Sequence, residues 1–417
     1  MTTVLLLGSG GREHALAWKL AQDAEVARLI AAPGSDAIAA LADTHPCDIE
    51  DPDAVLALAR TQGAEFVVIG PEAPLAAGVS DALSAAGVAV FGPSRAAAQL
   101  ETSKSFTKEI ADAVGAPTAR WRRFDALAPA LAWVQAEGAP IVVKADGLAA
   151  GKGVTVAATV AEASAALEAI FSEPGAAAVV EDCMIGPEAS LFALSDGETV
   201  LPFGDAQDHK RAFDGDLGPN TGGMGAFSPA PILTPALQAR AMDEIVRPVA
   251  AELARRGMPY RGVLYAGLML TADGPKLVEF NARFGDPETQ AMMLRLASPL
   301  LPLLRACAQG GLAAAAPEWR AEAAVTVVLA ARGYPGAYET GSRIGGLARA
   351  RAVEGVEIFE AGTRHAAGEV LAQGGRVLNV GALGPDLPAA LARAYDAVDA
   401  LDWPEGFCRR DIGASAG

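Results

Sequence analysis

Ile141-Val142-Val143-Lys144-Ala145-Asp146-Gly147-Leu148-Ala149-Ala150-Gly151-Lys152-Gly153-Val154-Thr155-Val156 decides how this chain is read. The glycines and Gly151-Lys152 invite comparison with a P-loop, GxxxxGK[ST]. Only three residues separate Gly147 from Gly151, however, and Gly153 stands where a Ser or Thr hydroxyl must meet Mg2+. A P-loop also runs from a strand into a helix. Here β-branched runs flank the glycines on both sides, so the stretch predicts two strands joined at a hairpin tip by a flexible glycine flap. Such a flap can close backbone N–H groups over a triphosphate. Lys144, on an otherwise apolar strand, is costly to bury unless it meets an anion, which makes it a candidate phosphate ligand. A glycine hairpin with a snorkelling lysine is the alternative.

Helical periodicity at 126–137 and 161–171 flanks this hairpin, and a strand at 178–183 follows. Glu181, Asp182 and Glu188 lie at or after that strand's end, where a carboxylate could accept hydrogen bonds from an adenine amino group or ribose hydroxyls; solvated loop acids are the plainer reading. Towards the N-terminus, apolar runs at 4–7, 66–69 and 88–91 alternate with helical stretches at 12–21, 52–62 and 75–86, the pattern of an open parallel sheet. Gly8-Ser9-Gly10-Gly11-Arg12-Glu13-His14 joins the first strand to the first helix, whose free N–H groups can take a phosphate. The dinucleotide fingerprint fails there. Glu13 replaces its third glycine, and the nearest plausible acid for the ribose, Asp36, lies 28 positions beyond Gly8. A bare glycine turn, with His14 as a cap or packing residue, is the alternative. One helical run through Gln99 and Lys104 to Val114 marks passage into a second unit, with a boundary near 103.

Towards the C-terminus, 205–231 is rich in Gly, Asp and Pro and too long for a plain connector. It carries Asp208-His209-Lys210 and Gly218-Pro219-Asn220-Thr221-Gly222-Gly223-Met224-Gly225, which suit a substrate-binding loop, a structural loop being the alternative. A helix at 235–256 and strands at 263–270 and 276–280 follow. In Leu277-Val278-Glu279-Phe280-Asn281-Ala282-Arg283-Phe284-Gly285-Asp286-Pro287-Glu288, strand alternation sets Glu279 and Asn281 on one face, opposite Val278 and Phe280. Two oxygen ligands on a rigid strand suit Mg2+, which takes few protein ligands and completes its shell with phosphates. Arg283 comes next on that face and could neutralise a phosphoryl group; a polar strand end without a ligand is the alternative. A helix at 288–296 ends this region. From 323 the chain is strand-rich, with a last helix at 388–401.

At 417 residues the chain implies about three domains. Hydrophobic residues at 51% and charged residues at 20% exclude whole-chain disorder. A net charge of −17 argues against nucleic-acid or anionic-membrane partners, so any phosphate must be held by local bases and backbone N–H groups. The cysteines 47, 183, 307 and 408 are too dispersed for a zinc or redox motif. The opening Met1-Thr2-Thr3-Val4-Leu5-Leu6-Leu7-Gly8 has no basic flank and few apolar residues, unlike a signal peptide or membrane span. A cytoplasmic address is expected.

A glycine hairpin after a lysine strand, acids at a hinge and a late Glu-x-Asn strand together resemble the ATP-grasp fold. GSGGREHALAWK, GPEAPLAAGV, QLETSKSFTK, KADGLAAGKGV, QDHKR, GPNTGGMGAFSP and EFNARFGDPETQ, in that order and followed by CRRDIG, resemble the phosphoribosylamine–glycine ligase (glycinamide ribonucleotide synthetase) family of purine biosynthesis over nearly the whole chain. The resemblance implies an α/β protein with an N-terminal Rossmann-like open parallel-sheet domain (1–103) and an ATP-grasp domain (104–322) whose mobile lid covers about 118–194. A strand-rich α+β C-terminal domain (323–417) would close the cleft. It implies ATP, glycine and 5-phospho-β-D-ribosylamine as reactants, a glycyl phosphate intermediate, Mg2+ or Mn2+, and a monomer. On this reading Glu279 and Asn281 hold the metal, while Lys104, Lys144 and the flap with Gly147, Gly151, Lys152 and Gly153 cover the phosphates. Glu181, Asp182 and the backbone beyond hold adenine, and Glu188 the ribose. Gly10, Gly11, Arg12 and Glu72 meet the sugar phosphate, helped by Asn220, Thr221, Gly222, Gly223, Met224 and Asp286. Arg283 stabilises charge on the transferring group, and Asp208 and Lys210 act near glycine. Rivals are another ATP-grasp ligase, either a peptide-forming one or a biotin-dependent carboxylase, for which no Met-Lys-Met string occurs; a nucleotide-binding scaffold without turnover; and a nicotinamide dehydrogenase.

Overall fold

The computed structural model describes residues 1–147 and 153–414. Val4 to Leu7 are fully buried because β1 (Thr2–Gly8) is covered on both faces, as in the interior of a parallel sheet. Around it run α1 (Gly11–Leu20), β2 (Val26–Pro33), β3 (Asp43–Thr44), α2 (Pro52–Gln62), β4 (Phe66–Ile69), α3 (Glu72–Ala77), α4 (Val79–Ala85) and β5 (Ala89–Phe91). The five strands lie in the parallel order β3-β2-β1-β4-β5. The helix expected at 75–86 is two helices, because Gly78 turns left-handed at φ 91° between them. The run expected from Gln99 to Val114 likewise breaks into α5 (Gln99–Thr102) and α6 (Lys104–Val114). Ser103 is extended there, and its side chain accepts from Phe106 N, which starts a new helix instead of continuing the old one.

The second unit holds two sheets. β6 (Trp121–Phe124), α7 (Leu127–Glu137), β7 (Ile141–Ala145), β8 (Val154–Ala157), α8 (Val160–Phe171) and β9 (Ala178–Asp182) build a small antiparallel sheet, β6-β9-β7-β8. Its two helices cover one face and form a separate core around Val134, Val143, Leu167 and Val180. β10 (Glu188–Asp196), expected within the lid, belongs instead to the large sheet. That sheet continues through β11 (Val200–Asp208) and, after the short hairpin β12 (Arg211–Phe213) and β13 (Leu217–Asn220), through β14 (Gly225–Ser228). The segment 205–231, expected as a loop, is therefore largely strand.

α9 (Pro235–Ala241) and α10 (Arg247–Arg255) flank a π turn, Met242–Val246. Pro248 has no N–H to return to the preceding turn, which accounts for the widened ladder within the single helix expected there. β15 (Arg261–Thr271) and β16 (Gly274–Asn281) complete one edge of the large sheet, and α11 (Glu288–Arg295) and α12 (Leu300–Gln309) pack beneath it. The last region contributes β17 (Ala323–Ala331), β18 (Arg343–Ile344), α13 (Leu347–Arg351), β19 (Val356–Glu360), β20 (Thr363–Ala366), β21 (Glu369–Ala372), β22 (Arg376–Gly384), α14 (Leu387–Ala400) and β23 (Gly406–Phe407). The large sheet runs β16-β15-β10-β11-β14-β17-β22-β19, with β23 beside β17. β14 and β17 pair antiparallel, Gly225 opposite Val327, so the last region's strands extend the sheet of the second. Among the described residues no helix is long and apolar enough to cross a membrane.

Candidate active site

One cleft of about 560 Å3 gathers residues from all three regions. The small sheet supplies its first wall. Alternation turns Ile141 and Val143 of β7 and Ala178 and Val180 of β9 into that sheet's core, and Val142, Lys144 and Glu181 to the cleft. Lys144 Nζ lies 2.8 Å from Glu181 Oε1 and donates to the Val278 carbonyl at 3.2 Å. Glu181 Oε2 accepts from Lys108 Nζ at 2.9 Å. The Lys144 contact is off the hydrogen-bonding direction, so Glu181 Oε1 is buried and accepts no hydrogen bond. Asp182, Cys183 and Met184 continue this wall, and Gly153 and Val156 form its rim. Gly147 lies outside the cleft lining, and Gly151 and Lys152 lie outside the described residues.

The large sheet supplies the second wall. β15 pairs Gly267 with Glu279 and Leu268 with Leu277, which leaves Val278 as an extra residue in a β-bulge. The bulge breaks the expected alternation. Leu277 and Phe280 are buried in the core, whereas Val278 lines the cleft beside Glu279 and Asn281 instead of lying opposite them. Burial opposes ionisation of Glu279, but Lys104, Lys210, Lys144 and Arg283 outweigh it and hold the carboxyl down at about 2. Lys104 Nζ stands 3.9 Å from Glu279 Oε2. Lys210 Nζ is 2.5 Å from Glu188 Oε2. Burial pushes Asp208 up to about 7; Lys210 opposes the shift, and Glu288 and Glu188 add to it. Tyr265 donates to Glu288 Oε1 at 2.7 Å.

Arg283 sits where this wall meets the N-terminal region. Its guanidinium lies 3.2 Å from Glu72 Oε2 and 3.0 Å from Glu101 Oε1, and Nη2 donates to Asn281 Oδ1 at 3.3 Å. Arg12 reaches the cleft from the first turn of α1 and donates to the Phe284 carbonyl at 3.1 Å. Asp286 is paired with Arg376 Nη2 at 3.3 Å, and Arg376, Arg12 and Arg283 together overcome burial to depress its pKa. Asn220, Thr221 and Gly222 complete the rim, with Gly222 O accepting from Arg376 Nη1 at 2.6 Å.

Four other expected contacts do not line the cleft. The N–H of Gly10 is taken by Glu13 Oε2 at 2.8 Å, so it is not free for a phosphate. Gly11 backs onto Asn379 and Gln290, whose amide nitrogens would lie within 3 Å of an added Cβ. Gly223 packs against Pro287, and the Met224 side chain is fully buried. His14 accepts from Glu360 N at 2.9 Å, which makes it a packing residue between α1 and β19. Conversely, Glu101, Tyr265, Glu288 and Arg376 reach the cleft without having been singled out. Glu101 and Glu288 sit inside quoted motifs, QLETSK and GDPE. Tyr265 and Arg376 lie on ordinary-looking strands, and nothing local marks them.

Among the described residues no group of three or more His, Cys, Asp or Glu side chains could by itself hold a metal ion. The donor set nevertheless fits a hard divalent cation that draws most of its shell from phosphates and water: one ionised carboxylate, Glu279, and one amide oxygen, Asn281. Charge balance points the same way. Among the described residues nine carboxylates and six cationic side chains line the cleft, so a polyanion needs additional positive charge to enter.

The chain matches the phosphoribosylglycinamide synthetase models along its length: the N domain over residues 2–101, the ATP-grasp (A) domain over 102–289 and the C domain over 324–415. It is 57% identical to a phosphoribosylamine–glycine ligase of Mesorhizobium japonicum, covering 99% of this chain and 98% of that protein. It is 55% identical to one of Agrobacterium fabrum at the same coverage. The crystal structure of phosphoribosylamine–glycine ligase from Thermotoga maritima superposes with a TM-score of 0.83 at 32% identity, covering 98% of this chain and 100% of that one. A biotin carboxylase of Campylobacter jejuni shares the fold, with a TM-score of 0.74 at 15% identity over 99% of this chain and 94% of that one.

Proposed function

The chain belongs to the phosphoribosylglycinamide synthetase family, and from that premise we propose how its cleft divides the work of an ATP-dependent ligation. The protein is a ligase of purine biosynthesis that joins glycine to 5-phosphoribosylamine. A carboxylate is a poor electrophile. The γ-phosphoryl group of ATP therefore passes first to a glycine carboxylate oxygen, breaking the β,γ-bridge bond and releasing ADP. The ribosylamine nitrogen then attacks the carbonyl carbon of glycyl phosphate, and inorganic phosphate leaves as the amide forms.

Lys104 and Lys144 neutralise the triphosphate, with Gly153 at the rim of the cleft. Glu181, with an oxygen that accepts no hydrogen bond, and the Asp182–Met184 backbone take the adenine; Glu188 takes the ribose beside Lys210. Glu279 and Asn281 would hold Mg2+, with Mn2+ as a substitute, and the ion would supply positive charge that offsets the phosphates and the cleft's carboxylates. Arg283 stabilises charge on the transferring group. Lys210 orients the glycine carboxylate. Asp208, poised near neutrality, takes the proton that the attacking amine loses. Arg12, Glu72, Asp286 and the 220–222 turn receive the phosphoribosyl moiety. Domain boundaries near 103 and 322, a monomeric state, a cytoplasmic address and freedom from nucleic-acid or membrane partners belong to the same proposal.

One observation carries this reading: Lys144 and Glu181 from the small sheet converge on the same cleft as Glu279, Asn281 and Arg283 from the large one. Phosphate release tests it. With Mg-ATP, phosphate should appear at full rate only when glycine and freshly prepared ribosylamine phosphate are both present. Release that needs neither would reject the assignment.

A further inference from the structure

Lys108 is 2% exposed, stands behind the cleft wall, and has no part in the mechanism above. It projects from α6, which packs on α10 and β16. Its ammonium donates to Thr118 Oγ1 at 2.7 Å and to Glu181 Oε2 at 2.9 Å, and the Thr118 hydroxyl in turn donates to the Leu277 carbonyl at 2.7 Å. On the other side of Glu181 lies Lys144, whose second contact is the Val278 carbonyl. One buried carboxylate is thus shared by two buried lysines, one from the small sheet and one from the body. Both lysines are tied to the bulged strand that carries Glu279. Burial works against the charge on Lys108, and Glu181 works for it.

A lone Glu181–Lys144 pair would be neutral. Its carboxylate, 2.8 Å from Lys144 Nζ and poorly screened, would draw that ammonium away from an incoming triphosphate. A second cation leaves the trio with net positive charge on its cleft side. We infer that Lys108 is a positioning residue for nucleotide binding: it occupies Glu181 from behind, so that the Lys144 charge stays available to the phosphates and the Glu181 carboxylate stays fixed in the cleft wall. The inference rests on the nucleotide roles given above to Lys144 and Glu181.

The test is a double-mutant cycle read by calorimetric titration with Mg-ATP, with melting curves as the check on folding. Lys108→Met leaves Glu181 still paired with Lys144, so no charge is orphaned. ATP binding should weaken about tenfold or more in this variant. Within a Glu181→Gln background there is no carboxylate to occupy, and adding Lys108→Met should cost less than about threefold. Lys108→Arg keeps the charge and should stay within about fivefold of wild type. Equal losses in both backgrounds, or no loss in the first, would overturn the inference. Should Lys108→Met alone not fold, the Glu181→Gln pair decides, since a tenfold step there is incompatible with the role. Wild-type protein that turns over with both co-substrates while its ATP affinity ignores Lys108 rejects this inference alone. Wild type that binds no ATP rejects the reading beneath it.

Discussion

Asp208 and His209 are chain neighbours that face opposite sides of β11's end, and burial shifts their titrations in opposite directions. Asp208 is surrounded by Lys210, Glu188, Glu288 and Tyr265 and is pushed up to about 7. His209 accepts from Gly413 N at 3.3 Å; burial, with Arg409 nearby, pushes it down to about 4. The raised acid binds its proton more tightly in the folded chain, so its contribution to stability is lost as pH rises from the unfolded value, near 3.8, through about 7. The lowered histidine does the reverse, and stability is lost as pH falls from 6.5 through about 4. The two slopes oppose each other across most of that range, and Asp208 acts alone just below neutrality. Asp208→Asn should therefore gain on wild type as the buffer is taken from about pH 5 to about pH 7, by at least about 2 °C in melting temperature. Parallel melting profiles would remove Asp208 as the titrating group. Residues such as Lys144 and Glu279 were legible in the sequence because a charge on an apolar strand is expensive without a partner. Tyr265 and Arg376 were not, since a tyrosine or arginine on a strand has many ordinary uses.

Short elements were the least legible. Nothing in 205–231 alternates for long enough to mark β12 and β13, because those strands are three and four residues long and have no apolar face to bury. They are held by the C-terminal segment instead. Arg409, 2% exposed, grips Asp411 with Nε and Nη2 at 2.7 and 2.8 Å, and from Nη1 it donates to Asp216 Oδ1 and the Arg211 carbonyl. Gly215 N returns to Asp411 Oδ2, and Arg410 N donates to Asp214 Oδ1. The CRRDIG string, matched only as a string in the sequence, is thus the support of the hairpin that leads Asn220 and Thr221 into the cleft. Arg409→Met should leave Asp411 and the Arg211 carbonyl without their charged donor and cost about 1.5–3 kcal/mol. The hairpin should become the first site of limited proteolysis, and KM for the ribosylamine should rise about tenfold while that for ATP moves less than about twofold. Unchanged cleavage, or equal rises in both constants, would detach the hairpin from this clamp.

At the scale of the molecule, composition and periodicity indicate three units, but they could not show that β14 and β17 join the second and third into one sheet. Strand pairing is a contact between distant segments, and no local pattern encodes the partner. The reach of Arg376 follows from that pairing. β22 lies next to β17, and Arg376 at its start extends a guanidinium across to the turn after β13 and the corner before α11. There Nη1 donates to Gly222 O, Gly223 O and Asp286 O, while Nη2 faces the Asp286 carboxylate. The C-terminal region, expected from the resemblance only to close the cleft, thereby places a cation in the cleft beside Asp286. Charge-assisted hydrogen bonds of this kind contribute about 1.5–3 kcal/mol each, and losing the equivalent of one of them corresponds to roughly a ten- to hundredfold effect. Arg376→Met should lower kcat/KM for the phosphorylated ribosylamine by about that factor, with the KM for ATP nearly unchanged, because the nucleotide wall makes no contact with it. A variant in which ATP affinity falls in step would mean that Arg376 holds the sheet together and does not serve one substrate. Steady-state titrations of each substrate at saturating levels of the others separate the two outcomes.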